Sequence, residues 1–290
     1  NKPRFAAVFL YRFVYPRSFM KKILGYSLLW MCQLVLAQTP NAVLNKPIDN
    51  AMMKSFAPTG TLRVGINLGN PVLAGSIDRS EPQPKGVTID IAKEIGKQSG
   101  IPVELISFKS AGAIVEALKA NQLDLIFVAI DPVRGADISY TPAYIQIEGA
   151  YMVKTSSPIQ KNEEVDTAGN EIVVGKASAY DLYLTREIKQ ATLLRAINSQ
   201  SVVDDFMSGK GNVAAGVKQQ LEADAKRYNN LRMLPGRFMV IHQAIGVPKS
   251  RAEFEKITLY LSGIVEELKT SGFIANSMKK HGIEGAKVAE

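Results

Sequence analysis

Apolar residues along the chain change their spacing several times, and each change predicts an element. Leu62-Arg63-Val64-Gly65-Ile66-Asn67 alternates as a strand does. Pro82, Pro84 and Gly86 mark a loop. Val87 to Ser99 then puts Ile91, Ala92 and Ile95 on one helical face, and Gly100 supplies the left-handed residue that stops a helix. Val103 to Phe108 is predicted as a strand, and Ala111 to Ala120 as a helix with Ile114, Val115 and Leu118 inward. Asp124 to Ile130 is a nearly all-apolar strand, as a sheet covered on both faces requires. The order βαβαβ predicts a parallel sheet with right-handed crossovers.

The pattern repeats in kind further on. Glu171–Gly175, Thr192–Ala196, Val213–Gly216 and Leu231–Leu234 read as strands, and Ala179–Lys189, Val202–Met207 and Val217–Tyr228 as helices. Met239 to Val247 is another apolar run, and Arg251 to Thr270 carries Phe254, Ile257, Leu261, Ile264, Val265 and Leu268 on one stripe. The two segments share architecture and not sequence. Two such units in tandem predict an α/β protein of two lobes around a cleft, with ligand outside the carboxyl ends of the strands.

Charge narrows the function. The net charge of +8 suggests a nucleic-acid partner until its location is considered. Residues 1–37 hold Lys2, Arg4, Arg12, Arg17, Lys21 and Lys22 and no acidic residue, and without them 29 basic residues face 27 acidic ones. No nucleic-acid partner is expected. Met20-Lys21-Lys22, the apolar Ile23 to Leu36 and Val35-Leu36-Ala37 together form a secretory signal pattern, with Met20 as the start and cleavage after Ala37. The apolar run of about 14 residues is short of the roughly 20 needed to span a bilayer. Residues 38–59, with Pro40, Pro47 and Pro58 and no sustained period, read as a linker. Cys32 and Trp30 both lie in the leader, so the body holds no thiol nucleophile, Cys-ligated metal or disulfide.

Enzyme signatures are sparse. His242 and His281 are the two histidines; they lack metal-ligand spacing, and His281 reads as surface. No nucleotide-binding glycine motif occurs, Gly65 and Gly69 giving only a weak turn signal. A Ser178–His242 pair has no local support. Two strand ends carry more. Arg134 follows a buried strand through Ile130-Asp131-Pro132-Val133, where its fork either holds a carboxylate or pairs internally with Asp131 or Asp137. Gly175-Lys176-Ala177-Ser178-Ala179-Tyr180 runs from strand to helix, so its N–H groups make an anion site, or Ser178 simply caps the helix.

Several segments in order resemble one family: Gly60-Thr61-Leu62-Arg63-Val64-Gly65, Gly86 to Ile95, Leu123-Asp124-Leu125-Ile126, and Arg134 followed by Ile138-Ser139-Tyr140-Thr141-Pro142-Ala143-Tyr144. The chain is similar, over roughly residues 60–285, to the extracytoplasmic solute-binding proteins, family 3, of amino-acid ABC importers. That resemblance implies a type II periplasmic-binding-protein fold, two α/β lobes with mainly parallel sheets around a ligand cleft. It implies that residues 60–147 and 241–290 form lobe 1 and residues 148–240 lobe 2. It further implies a monomer in the periplasm that binds a small carboxylated solute, serves an ABC permease of the inner membrane, needs no cofactor and is not an enzyme. The family's carboxylate-binding arginine matches Arg134, its Gly-Ser/Thr loop matches Ala177-Ser178-Ala179, and its first pocket loop matches Asn67 to Leu73.

The departures are as informative. Asn70, with Leu73 nearby, replaces the stacking aromatic; the loop before Arg134 is about two residues shorter; and Val128, Ala129 and Asp131 replace its Ser/Thr residues. The acid that pairs with a ligand ammonium should fall near Gly216 to Lys218, where none stands. Asp131 is the candidate for a displaced ammonium partner, and Tyr180 for a polar wall. The expected ligand site is therefore Asn67, Asn70, Asp131, Arg134, Ser178, Ala179 and Tyr180, with no metal. Two other readings stay open. One is a periplasmic enzyme on the same fold, such as a cyclic-acid dehydratase using Asp131, Glu148 or His242 as acid or base. The other is a ligand-binding partner of a membrane receptor or dehydrogenase system.

Overall fold

A computed structural model describes residues 48–75 and 83–290. The leader, residues 38–47 of the expected linker and Pro82 of the expected loop lie outside the described residues. In chain order the strands are β1 (Leu62–Asn67), β2 (Val103–Phe108), β3 (Leu125–Ala129), β4 (Ile138–Tyr140), β5 (Ile145–Lys154), β6 (Glu171–Gly175), β7 (Thr192–Ala196), β8 (Val213–Val217), β9 (Leu231–Met233), β10 (Met239–Pro248) and β11 (Lys287–Val288). The helices are α1 (Asn50–Phe56), α2 (Val87–Ser99), α3 (Ala111–Lys119), α4 (Ala179–Glu187), α5 (Val202–Met207), α6 (Lys218–Ala225), α7 (Phe254–Thr270) and α8 (Phe273–Lys280).

Two parallel triplets organise the sheet. β2-β1-β3 is one, with Gly65 opposite both Ile106 and Ile126, and β8-β6-β7 is the other, with Val173 opposite Leu194 and Ala214. The triplets are joined by β10 and β5, which run antiparallel to their neighbours and to each other in the path β3-β10-β5-β8. Ile241 stands opposite Ile147, and Val240 opposite Glu148. All five residues of β3 and of β8 are buried, as strands covered on both faces must be.

Helix boundaries follow local chemistry. Gly100 closes α2 at φ 69°, Ser110 caps α3 by accepting from the Ala113 N–H, and α7 buries Ile257, Leu261, Ile264, Val265 and Leu268 along one stripe. Residues 50–56, expected within a linker, form a helix instead. Asp49 caps it, and its Phe56 is 1% exposed in the main core, where packing supplies what periodicity did not announce. His281 is not an idle surface residue: it is packed at the end of α8 with Nε2 2.9 Å from the Asp90 carboxylate.

Candidate functional site

The carboxyl ends of both triplets converge on one cavity of about 30 Å³. Asn67 ends β1, Ala129 ends β3, Val217 ends β8, and Ser178 and Ser199 follow β6 and β7, so five strand ends contribute to its wall. This is where the partial positive charge of helix N-termini and the free loops of an α/β sheet meet a ligand.

Arg134 begins a one-turn helix, Arg134–Ala136, that packs it back under β3. It is 5% exposed. One Nη donates to the Ala129 carbonyl at 3.1 Å, and the other to the Ala177 carbonyl, on the opposite triplet, at 2.8 Å. Neither of the internal acids that the sequence offered holds it. Asp137 pairs with Lys119 at 2.9 Å, and Asp131 pairs with Arg186 of α4 at 3.0 Å. Burial lowers the Arg134 pKa, an effect the nearby Tyr140 and Asp131 partly offset. A guanidinium hydrogen-bonded only by carbonyls keeps its full charge in a place where charge is costly, and an anion relieves that cost.

Across the cavity stands the first turn of α4. Ser178 caps it, Oγ accepting from the Asp181 N–H at 3.0 Å, and Asp181 reaches back to the Ala177 N–H at 2.8 Å. Capping does not consume the site, because the Ser178 hydroxyl keeps its proton to donate. The N–H groups of Ala179 and Tyr180 have no hydrogen-bond partner among the described residues. Asp181 is in turn paired with Arg195 at 3.0 Å. Tyr180 is 2% exposed, and burial pushes its hydroxyl up to about 12, partly offset by Ser199, Ser178 and the Gly175 backbone beside it.

Of the residues expected at the site, Asn67, Asn70, Arg134, Ser178, Ala179 and Tyr180 line the cavity together, whereas Asp131 does not. The Asp131 side chain is 4% exposed and turned into its own loop and toward α4, accepting from the Val133 N–H at 2.9 Å besides binding Arg186. Asn67 is spent partly on a local turn, its Oδ1 accepting from the Gly69 N–H at 3.0 Å. Asn70 is buried with its Oδ1 unpartnered. Behind the cavity lies a second void of about 10 Å³ that shares Asn67, Asn70 and Gln243 with it. Gln243 and Ser199 were missed in the sequence. Gln243 had a signal, a polar residue inside the apolar run of β10, but Ser199 had none, since only the fold brings it here. Three contacts tie the triplets near the cavity: Arg134 to the Ala177 carbonyl, Asp131 to Arg186, and Gln200 Nε2 to the Leu68 carbonyl at 2.9 Å.

The profile of the bacterial extracellular solute-binding proteins, family 3, matches residues 62–283. The chain belongs to this family. Among solved structures, a solute receptor for L-cysteine from Neisseria gonorrhoeae is 20% identical with a TM-score of 0.68, over 80% of this chain and 94% of that one. A binding component of an ABC transporter from Wolinella succinogenes, complexed with lysine, is 18% identical with a TM-score of 0.65, over 77% and 95%. An ancestral amino-acid-binding protein, a precursor of cyclohexadienyl dehydratase, is 18% identical with a TM-score of 0.66, over 79% and 98%. These likenesses establish the type II periplasmic-binding-protein fold for this family member. No match was found among curated proteins. Among the described residues, no helix is long and apolar enough to cross a membrane.

Proposed function

We propose that this protein is the substrate-binding component of an ABC importer, a periplasmic monomer that captures a small carboxylate-bearing solute, an amino acid or a related compound. In this reading residues 1–37 direct export, and residues 60–147 with 241–290 form one lobe. Residues 148–240 form the other. The solute draws the lobes together, and the closed form is presented to an inner-membrane permease. Closure is a population shift: a ligand that touches Arg134 on one side and the α4 N-terminus on the other binds the closed state better than the open one.

The observation that carries the reading is Arg134, buried, charged and without a carboxylate partner, facing a helix N-terminus whose first N–H groups are free. Family membership supports solute binding, and the names of the solved relatives point to amino acids and ABC transport. Asp131 and Glu148 are already ion-paired, and His242 is exposed; none of the three lines the cavity, which favours capture over turnover.

Thermal unfolding of the purified protein against a panel of amino acids and small carboxylates tests this. A ligand at a hundred times its Kd stabilises the native state by about 2.7 kcal/mol. At least one carboxylate should raise Tm, and Arg134→Ala should abolish the rise. A panel in which no carboxylate shifts Tm would overturn the assignment.

A further inference from the structure

Among the described residues, 14 line the cavity, none is Asp or Glu, and Arg134 is the sole charged one. Three acids on the elements around it are already ion-paired. Asp131 is held by Arg186 at 3.0 Å, Asp181 by Arg195 at 3.0 Å, and Glu148 by Arg237 at 2.7 Å and Lys218 at 3.5 Å. Bringing any of them into the cavity would strand its arginine. The charge count then discriminates between ligands. A simple carboxylate and Arg134 sum to zero, whereas a zwitterion leaves one positive charge buried with no counter-ion, several kcal/mol worse on the order of the penalties for unpaired buried ions.

The neutral polar groups indicate what replaces the ammonium. Asn70 Oδ1 is a buried acceptor without a partner, and Tyr180 Oη, buried beside Ser178, Ser199 and the Gly175 backbone, is both donor and acceptor; both residues line the cavity. A buried acceptor without a donor is itself unfavourable. A hydroxyl next to the carboxylate supplies the proton that Asn70 Oδ1 lacks and accepts one from Tyr180 or Ser178, with no charge added. Size agrees, since about 30 Å³ with about 10 Å³ behind it holds only a few non-hydrogen atoms.

We infer that the site selects short 2-hydroxycarboxylates over the α-amino acids of the same skeleton. This rests on the reading above, that the cavity holds a carboxylated solute. Isothermal titration of the unmodified protein with two matched pairs, glycolate against glycine and L-lactate against L-alanine, separates the two claims. The hydroxy acid should bind at least ten-fold more tightly in each pair. Asn70→Asp, which places a carboxylate where the free amide oxygen lies, should shift the ratio toward the amino acid by a further ten-fold or more. If glycine or alanine binds as well as its partner, the inference is wrong while carboxylate capture stands. The same holds if only larger carboxylates bind. Should no carboxylate bind at all, both fall. A ratio unmoved by Asn70→Asp would sink the assignment of Asn70, and if that variant fails to fold, the unmodified protein's ratios decide alone.

Discussion

Asp131 shows how a single residue changes role between the linear chain and the folded one. Its place beside Arg134 makes it a candidate for either an internal pair or a ligand contact, and in the fold it neither pairs with Arg134 nor lines the cavity. The carboxylate is buried and spent on Arg186 from the other triplet and on the Val133 N–H. Arg186→Gln should therefore leave a buried carboxylate short of its partner and destabilise the protein by about 1–3 kcal/mol. The drop is read from urea unfolding, and a stability unchanged within error would show that the pair contributes nothing. At this scale the sequence is a guide to chemistry and a poor guide to partners. Arg134 was legible because an arginine after a fully buried strand must lie at a sheet's carboxyl end. Its actual acceptors, the carbonyls of Ala129 and Ala177, carry no sequence signal, because any residue supplies a carbonyl.

At the scale of elements, legibility followed burial. β3 and α2, with their continuous or one-faced apolar patterns, have nearly the boundaries that periodicity predicts. β5 mixes Gln146, Glu148 and Gly149 into a strand that pairs with β10 and β8, and α8 is short and half polar, so neither is visible before the fold is known. Besides Ile274 and Met278, which α8 buries in the core, polar contacts hold it in place. Asp90 of α2 accepts from Ser277 Oγ at 2.7 Å, from His281 Nε2 at 2.9 Å and from Lys280 Nζ at 3.2 Å. Partial burial pushes the Asp90 pKa up, but these hydrogen bonds outweigh it and bring it below its ordinary value. A carboxylate depressed in the folded state stabilises above its unfolded pKa and loses that contribution as pH falls through the folded value. Asp90→Asn should thus lower Tm near neutral pH, and the gap from the unmodified protein should shrink as pH falls below about 4. A pH-independent gap would assign the effect to packing alone.

For the whole molecule, the feature that matters is that β3, β10, β5 and β8 form one unbroken ladder between the two triplets. Ten-residue strands bonded on both sides make a continuous connection, which suits the proposed capture of a solute between two lobes. Family membership and fold were readable from the ordered segments of the sequence; the state of the cavity was not, because it depends on contacts between residues of opposite triplets.

That state has a kinetic consequence. In the proposed capture, with Arg134, Asp131 and Gln200 all bonded between the triplets and a cavity of about 30 Å³, a solute of several heavy atoms enters once those three contacts break. Entry therefore waits on the gate. In stopped-flow mixing, the observed association rate should rise with solute concentration and then level off at the rate of opening, a hyperbola where a permanently open cleft would give a straight line. Arg186→Gln, which removes one of the three contacts, should raise that plateau and, by enlarging the competent fraction, speed capture at every concentration. The solute, on this view, sets how often the gate is tried, and the protein sets how fast it answers.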